Sequence, residues 1–229
     1  MNRYSDSLKN FLERLADKEK AIQMEKYMKN KVQFFGVPSD LREEFYKDYM
    51  KIHGVPDDQE LLLIIRDLWE QPQREYQYFA MEMLRKLNRF ANTERLKLYE
   101  FMIVNRSWWD TVDFIASNLV GPFFLKYQEM KEEYSKKWMQ SGNMWLQRTV
   151  LLFQLKYKEK TDTALLSRAI LELSSSKEFF IRKAIGWSLR QYSKTNPDFV
   201  SDFVEKNKEK LSPLSRKEAL KVINKKRMD

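Results

Sequence analysis

Apolar residues recur at intervals of three and four along almost the whole chain, as in Leu61–Trp69 and Phe179–Tyr192. This spacing places them on one face of an α-helix, whereas residues of a strand alternate with a period of two. Prolines stand near the predicted helix starts, where a missing backbone N–H costs little. They are Pro38, Pro56, Pro72, Pro122, Pro197 and Pro213. The pattern predicts an all-α protein.

A weak internal repeat is visible in the largest side chains. In four places a large apolar residue precedes an aromatic residue by seven positions: Trp69 and Tyr76, Met102 and Trp109, Trp138 and Trp145, and Leu173 and Phe180. The aromatic residues are 33, 36 and 35 positions apart, an interval typical of stacked helix pairs. We expect an α-solenoid of HEAT-like repeats that forms a single domain over residues 1–229, with an irregular helical bundle as the alternative.

A small polar residue precedes the aromatic residue in each of the last three units. These residues are Ser107, Asn143 and Ser176. Side chains of this kind accept hydrogen bonds from the free N–H groups at a helix start. Each of the three is therefore predicted to be the N-cap of the following helix.

The charge balance favours an anionic partner. Lys and Arg number 42 against 33 Asp and Glu, a formal net charge of +9. An excess of this size favours nucleic acid or an acidic membrane surface. The sequence has no apolar run of the ~20 residues that a membrane span needs, and its first residues lack the apolar segment of a signal peptide. We expect a cytoplasmic protein that does not associate with membranes.

Several kinds of chemistry are excluded by composition. The chain has no Cys and a single His, His53, which removes thiolate nucleophiles, iron–sulfur clusters and sites that need two imidazoles. Glycine-rich phosphate loops and the common zinc-peptidase and serine-hydrolase motifs are also missing. Carboxylates, aromatic residues and basic residues must carry any chemistry, and we expect no metal or cofactor.

The strongest local signal ends at Asp113. Trp109 and Asp113 are four positions apart and share a helix face, so a carboxylate lies beside an indole. The corresponding position in every other unit holds a small residue: Ala80, Thr149 and Ala184. An acid in that position is a candidate functional group. The alternative is that Asp113 caps a neighbouring helix or forms a salt bridge with it.

Basic residues recur on the later units. Arg148 falls at the repeat phase of Lys183, so two successive units would present a cation on one face. Lys183, Trp187 and Arg190 follow at i, i+4 and i+7, an arrangement that suits a sugar–phosphate backbone. We predict that Arg148, Lys183 and Arg190 contact DNA. The alternatives are a solvated Arg148 and a Trp187 that belongs to the core.

One acid without a histidine partner is poorly equipped to protonate a leaving group. It suits a reaction in which the leaving group is already activated, such as loss of a cationic alkylated base from deoxyribose. The base departs neutral and positive charge develops on the sugar. A carboxylate stabilises that charge or positions water, and indole faces add cation–π attraction.

These segments resemble the AlkD family of DNA alkylation-repair glycosylases over nearly the whole chain. The resemblance is carried by Ser107-Trp-Trp-Asp-Thr-Val-Asp113, Trp145-Leu-Gln-Arg148, Phe153-Gln-Leu-Lys-Tyr-Lys158, Ser175-Ser-Lys-Glu-Phe-Phe-Ile-Arg-Lys-Ala-Ile-Gly-Trp187, Tyr27-Met-Lys-Asn30 and Tyr192-Ser-Lys-Thr-Asn-Pro197. It implies HEAT-like repeats with a concave basic face. It also implies excision of N3- and N7-alkylated purines from double-stranded DNA, without metal or cofactor, without base flipping and without a lyase step.

The resemblance also assigns roles to residues. Trp109, Asp113 and Trp187 would form the catalytic cleft, with Asp113 stabilising the sugar cation and orienting water. Trp109 and Trp187 would pack against deoxyribose, and Arg148 would hold a phosphate. Lys183 and Arg190 are added as DNA contacts from the repeat phase alone.

We therefore expect a monomeric bacterial alkylpurine DNA glycosylase of the cytoplasm, associated with the nucleoid through DNA binding. The alternatives are a non-catalytic HEAT-like DNA-binding protein and a protein–protein scaffold. Neither gives a reason for an acid and two tryptophans at the cleft positions.

Overall fold

The computed structural model describes residues 3–88 and 91–226. In these ranges the regular structure is helical, and the only β-type pairing is an isolated bridge between Gln33 and Gln73. The prediction of an all-α protein is therefore confirmed for the described residues. In the same ranges no helix has the length and apolar character needed to cross a membrane.

The chain divides into two compact units, Met1–Phe90 and Ala91–Asp229. The first contains α1 (Arg3–Arg14), α2 (Lys18–Tyr27), α3 (Ser39–His53), α4 (Asp58–Glu70) and α5 (Arg74–Leu87). The second contains α6 (Arg95–Val104), α7 (Trp109–Ile115), α8 (Gly121–Lys126), α9 (Gln128–Gln140), α10 (Met144–Leu152), α11 (Thr163–Leu173), α12 (Phe179–Tyr192), α13 (Pro197–Lys206), α14 (Pro213–Ala219) and α15 (Lys221–Lys226). The single domain over 1–229 stays a prediction.

Several helices begin where proline indicated. Pro197 and Pro213 are the first residues of α13 and α14, and Pro38 immediately precedes α3. The side chain of Asn196 accepts a hydrogen bond from the N–H of Phe199, which closes the start of α13. Proline explains the start of α3, and proline together with a side-chain cap explains the starts of α13 and α14.

The repeat units correspond to helix pairs. In each unit the first apolar residue lies near the end of one helix and the aromatic residue near the start of the next. The pairs are α4–α5, α6–α7, α9–α10 and α11–α12. Trp69, Met102 and Trp138 are fully buried. The repeat in the sequence therefore corresponds to pairs of consecutive helices.

Only one of the three predicted caps is correct. Asn143 caps α10 by accepting from the N–H groups of Trp145 and Leu146. The residues at the cap positions of α7 and α12 are instead Trp108 and Glu178, both in extended conformation. The hydroxyl of Ser107 donates to the carbonyl of Ile103 in α6 at 2.6 Å. Helix α7 begins two residues after this serine, at Trp109.

The helical segment that begins with α7 contains a π-helical turn. Residues Ala116–Val120 form this turn between α7 and α8. The hydroxyl of Ser117 donates to the carbonyl of Asp113 at 2.9 Å. Nearby, a side chain at Gly121 would collide with the carbonyl oxygen of Phe153, so only glycine permits this close approach. Such π-helical turns are frequent at functional sites, and this one begins three residues after Asp113.

Candidate active site

Asp113 of α7 and Arg148 of α10 form a bidentate ion pair. The Nε and Nη2 groups of Arg148 donate to the two carboxylate oxygens of Asp113 at 2.7 and 2.8 Å. The Arg148 side chain is 4% exposed and that of Asp113 is 13% exposed. The salt bridge that the sequence left open as an alternative for Asp113 is therefore present. Asp113 is the more exposed residue of the pair.

Arg148 also binds the start of α12. Its Nη1 group donates to the backbone carbonyl of Phe180, and its guanidinium lies 5.7 Å from the centre of the Phe180 ring. One buried side chain thus joins α7, α10 and α12. The alternative of a solvated Arg148 is wrong, because two neighbouring helices use its donors. The predicted contact between Arg148 and a phosphate stays a prediction.

Burial raises the pKa of the Asp113 carboxyl above its ordinary value. The hydrogen bonds and charge of Arg148 oppose this effect, and the nearby Asp110 adds to it. A bidentate guanidinium also fixes the plane of a carboxylate, since two parallel N–H groups meet two oxygens. The acid is thereby held in one orientation with an edge that is still accessible.

Three aromatic rings pack together at the starts of α7, α10 and α12. Trp108 lies 5.9 Å from Trp145 and 5.1 Å from Phe180, and Trp145 lies 5.2 Å from Phe180, measured between ring centres. We call these three residues the aromatic cluster. Its edge-to-face and tilted contacts are favourable for aromatic pairs. Because Phe180 also contacts Arg148, the cluster supports the ion pair from one side.

The repeat in the sequence marks two members of the aromatic cluster, Trp145 and Phe180, but not the third, Trp108. The repeat aligned Trp109 with Trp145 and Phe180, but Trp108 makes these contacts, because the chain is extended at Trp108 and α7 begins one residue later. Val112, one turn after Trp108, is fully buried. Trp108 itself is only partly buried.

Trp109 and Trp187 lie on the helices that carry the ion pair. Trp109 is the first residue of α7, one helical turn before Asp113, and is partly exposed. Trp187 lies on α12, seven residues after Phe180, which is two turns or roughly 10 Å along the helix axis. It is also partly exposed, whereas its neighbours Gly186 and Ser188 are buried.

Lys183 and Arg190 both pair with Glu218 of α14. The Nζ of Lys183 is 2.5 Å from Oε2 of Glu218, and Nη1 of Arg190 pairs with Oε1. Of the six predicted site residues, the structure therefore pairs Asp113 with Arg148, and both Lys183 and Arg190 with Glu218. The role of Lys183 and Arg190 as DNA contacts stays a prediction.

Glu218 was missed by the sequence reasoning. It lies on α14, beyond the last repeat unit that the aromatic residues marked. A usable signal existed, because Lys183 and Glu218 are separated by 35 residues and so are Asp113 and Arg148. Opposite charges one repeat apart are placed to meet across neighbouring helices.

Comparison with known proteins identifies the class. The family described as DNA alkylation repair enzyme matches residues 8–223, and the chain belongs to this family. The AlkD-like resemblance found in the sequence is therefore confirmed. A search of curated proteins gave no match.

A solved structure shows the same fold. The chain is similar to the "Predicted DNA alkylation repair enzyme from Enterococcus faecalis", with 32% sequence identity and a TM-score of 0.84. The match covers 90% of this chain and 95% of that chain. The similarity in fold therefore extends over nearly the full length of both proteins.

Proposed function

We propose that this protein is a DNA glycosylase that hydrolyses the N-glycosidic bond of positively charged N3- and N7-alkylated purines in double-stranded DNA. The observation that carries the proposal is the Asp113 carboxylate, fixed by the buried Arg148 and still partly exposed. A fixed anion suits a transition state in which positive charge develops on the sugar, because a preorganised charge needs no reorganisation during the reaction.

The bond between C1′ of deoxyribose and N9 of the purine breaks, and its electron pair goes to the base. The electron pair neutralises the positive charge of the alkylated base, so no general acid is needed. The developing oxocarbenium ion faces Asp113. Water then adds to C1′ and loses its proton to Asp113 or to solvent. The reaction leaves an abasic sugar and a free base, with no lyase step.

Trp109 and Trp187 are proposed to pack against the deoxyribose backbone on either side of the lesion, while the base stays stacked. Lys183 and Arg190 would contact phosphates on a concave basic face of a HEAT-like solenoid. Arg148 orients Asp113 in this scheme, and a phosphate contact would be a second role for it. The net charge of +9 supports DNA as the partner, bound by a monomer in the bacterial cytoplasm.

The test is single-turnover release of N7-methylguanine from a defined duplex. The wild type is compared with Asp113→Asn, and with Asp110→Asn as a control that makes the same charge change on the same helix. Asp113→Asn should release the base about 10²–10³-fold more slowly than the wild type, because it loses one electrostatic stabiliser of the transition state. Duplex binding should stay close to normal.

Two results would contradict this proposal. Release that survives within a few fold in Asp113→Asn would remove this residue from the chemistry. Tight duplex binding without release by the wild type would move the protein to the class of non-catalytic DNA-binding proteins.

A further inference from the structure

Glu218 is held beneath α12 by close helix packing. The hydroxyl of Ser215, one turn earlier on α14, donates to the carbonyl of Arg182 at 2.8 Å. At Gly186 a Cβ atom would lie 2.5 Å from the Cβ of Glu218 and 2.8 Å from the carbonyl oxygen of Ser215. Glycine therefore allows α12 and α14 to touch at this point, and the Glu218 side chain starts from that contact.

The two cations stand on either side of the same contact. Lys183, Gly186 and Arg190 are spaced i, i+3 and i+7 and share one face of α12. Lys183 lies one turn before the glycine and Arg190 one turn after it. Lys183 pairs with Oε2 of Glu218, and Arg190 pairs with Oε1. Trp187, the proposed sugar contact, directly follows Gly186 in the chain.

One carboxylate thus serves two cations. Burial of Glu218 opposes its ionisation, but Lys183 and Arg190 outweigh that effect and lower the pKa of its carboxyl. The Glu218 side chain is 9% exposed, whereas Lys183 and Arg190 are 40% and 26% exposed. The cations therefore remain accessible to an outside anion while an internal anion occupies them.

We infer that Glu218 competes with DNA phosphates for Lys183 and Arg190 and thereby limits the binding of undamaged duplex. The inference rests on the proposed function, since it takes Lys183 and Arg190 as phosphate contacts. A phosphate contact is the same in damaged and normal DNA, so weakening it lowers the affinity for every duplex. Glu218 thus sets how strongly the protein binds any duplex, undamaged DNA included.

The experiment measures equilibrium binding of an undamaged duplex over a series of salt concentrations. Glu218→Gln is compared with Glu205→Gln, which makes the same charge change at a residue of α13 in an exposed pair with Lys208. Glu218→Gln should bind several-fold tighter than this control. Its plot of log K against log[salt] should be steeper by about 0.9 for each additional phosphate that the protein neutralises.

A double-mutant cycle assigns the effect to the two cations. In a background with Lys183→Gln and Arg190→Gln, replacing Glu218 by Gln should leave affinity and salt slope at the level of the Glu205→Gln change. Persistence of the full effect in that background would overturn the inference. So would equal binding by the Glu218→Gln and Glu205→Gln proteins.

Two further measurements separate the possible failures. If Glu218→Gln does not fold, Glu218→Asp keeps the charge but shortens the side chain by one carbon, and is compared with Glu205→Asp. A salt slope no steeper than in that control would overturn the inference. If the wild type binds no duplex, the proposed function is overturned as well. If the wild type binds and excises normally but the Glu218 change does not alter duplex binding, this inference alone is contradicted.

Discussion

Two carboxylates that are shielded from solvent to different degrees, Glu75 in the first compact unit and Asp113 in the second, are used in opposite ways. Glu75 is fully buried. Its oxygens accept from the backbone N–H groups of Phe35, Gly36 and Val37 at 2.9–3.2 Å. Among the described residues, Arg148 is the partner that binds both oxygens of Asp113, and the Asp113 side chain is 13% exposed. Burial raises the pKa of both acids.

The difference shows that burial and a shifted pKa do not identify a functional acid. The hydrogen-bonding capacity of Glu75 is used to hold the loop before α3, where Gly36 adopts a positive φ of 88°. Asp113 is instead held by a side chain from a neighbouring helix and keeps an accessible edge. Solvent access to the carboxylate, together with the arginine that fixes its orientation, distinguishes Asp113, the candidate catalytic acid, from Glu75, the structural acid.

Glu75 is predicted to matter most for stability. Glu75→Ala would remove the acceptor of the buried N–H groups of Gly36 and Val37 and of the partly buried N–H of Phe35, at about 1–3 kcal/mol for each buried group. We expect the free energy of unfolding to fall by about 2–6 kcal/mol, measured by urea denaturation. Glu82→Gln on the same helix is the control, because Glu82 forms an i,i+3 pair with Arg85 that is partly exposed to solvent.

The comparison also predicts that excision per folded molecule is unchanged in Glu75→Ala. If the rate at a temperature where the variant is folded fell as far as in Asp113→Asn, the division of roles between the two acids would be wrong.

The second effect concerns Arg148. Arg148→Lys keeps the charge but loses the two parallel donors that fix Asp113. We expect single-turnover excision to fall by roughly tenfold to a hundredfold, since small misplacement of a catalytic group has that cost. The salt dependence of duplex binding tests the second proposed role of Arg148, a contact with a phosphate.

For that measurement Arg148→Ala is compared with Arg168→Ala, a control in an exposed pair with Glu132. A phosphate contact predicts weaker binding and a flatter salt slope in Arg148→Ala. An unchanged slope together with reduced excision would leave Arg148 with the orienting role alone.

The smallest effect is in the pH dependence. The ionised form of Asp113 is the active one, so excision rises with pH through the pKa of Asp113 and is lost as the pH falls through it. Burial raises this pKa, which moves the acid limb above the ordinary aspartate value of about 3.9. The profile is measured in single turnover after subtraction of uncatalysed base release.

Asp110→Asn sharpens this test, because the Asp110 carboxylate contributes to the raised pKa of Asp113. Its removal should move the acid limb to lower pH. A limb that moves to higher pH, or the absence of any limb in this range, would contradict the assignment of Asp113 as the titrating group.

Much of the helical architecture could be predicted because its causes are local. Helical spacing of apolar residues, prolines at helix starts and the Asn143 cap all act within a few positions of the chain. The errors at Ser107 and Ser176 arose where the chain stays extended before the helix begins. That detail depends on how Trp108 packs against Trp145 and Phe180, which are distant in sequence.

The helical class, the 33- to 36-residue repeat, the shared helix face of Trp109 and Asp113, and the family resemblance all follow from the order of residues along the chain. Which charges meet depends instead on how the helices pack. Arg148 is buried beneath Asp113, and Glu218 pairs with Lys183 and Arg190. Such pairs join helices about one repeat apart, and their formation depends on close helix packing, as at Gly186, which side-chain periodicity does not encode.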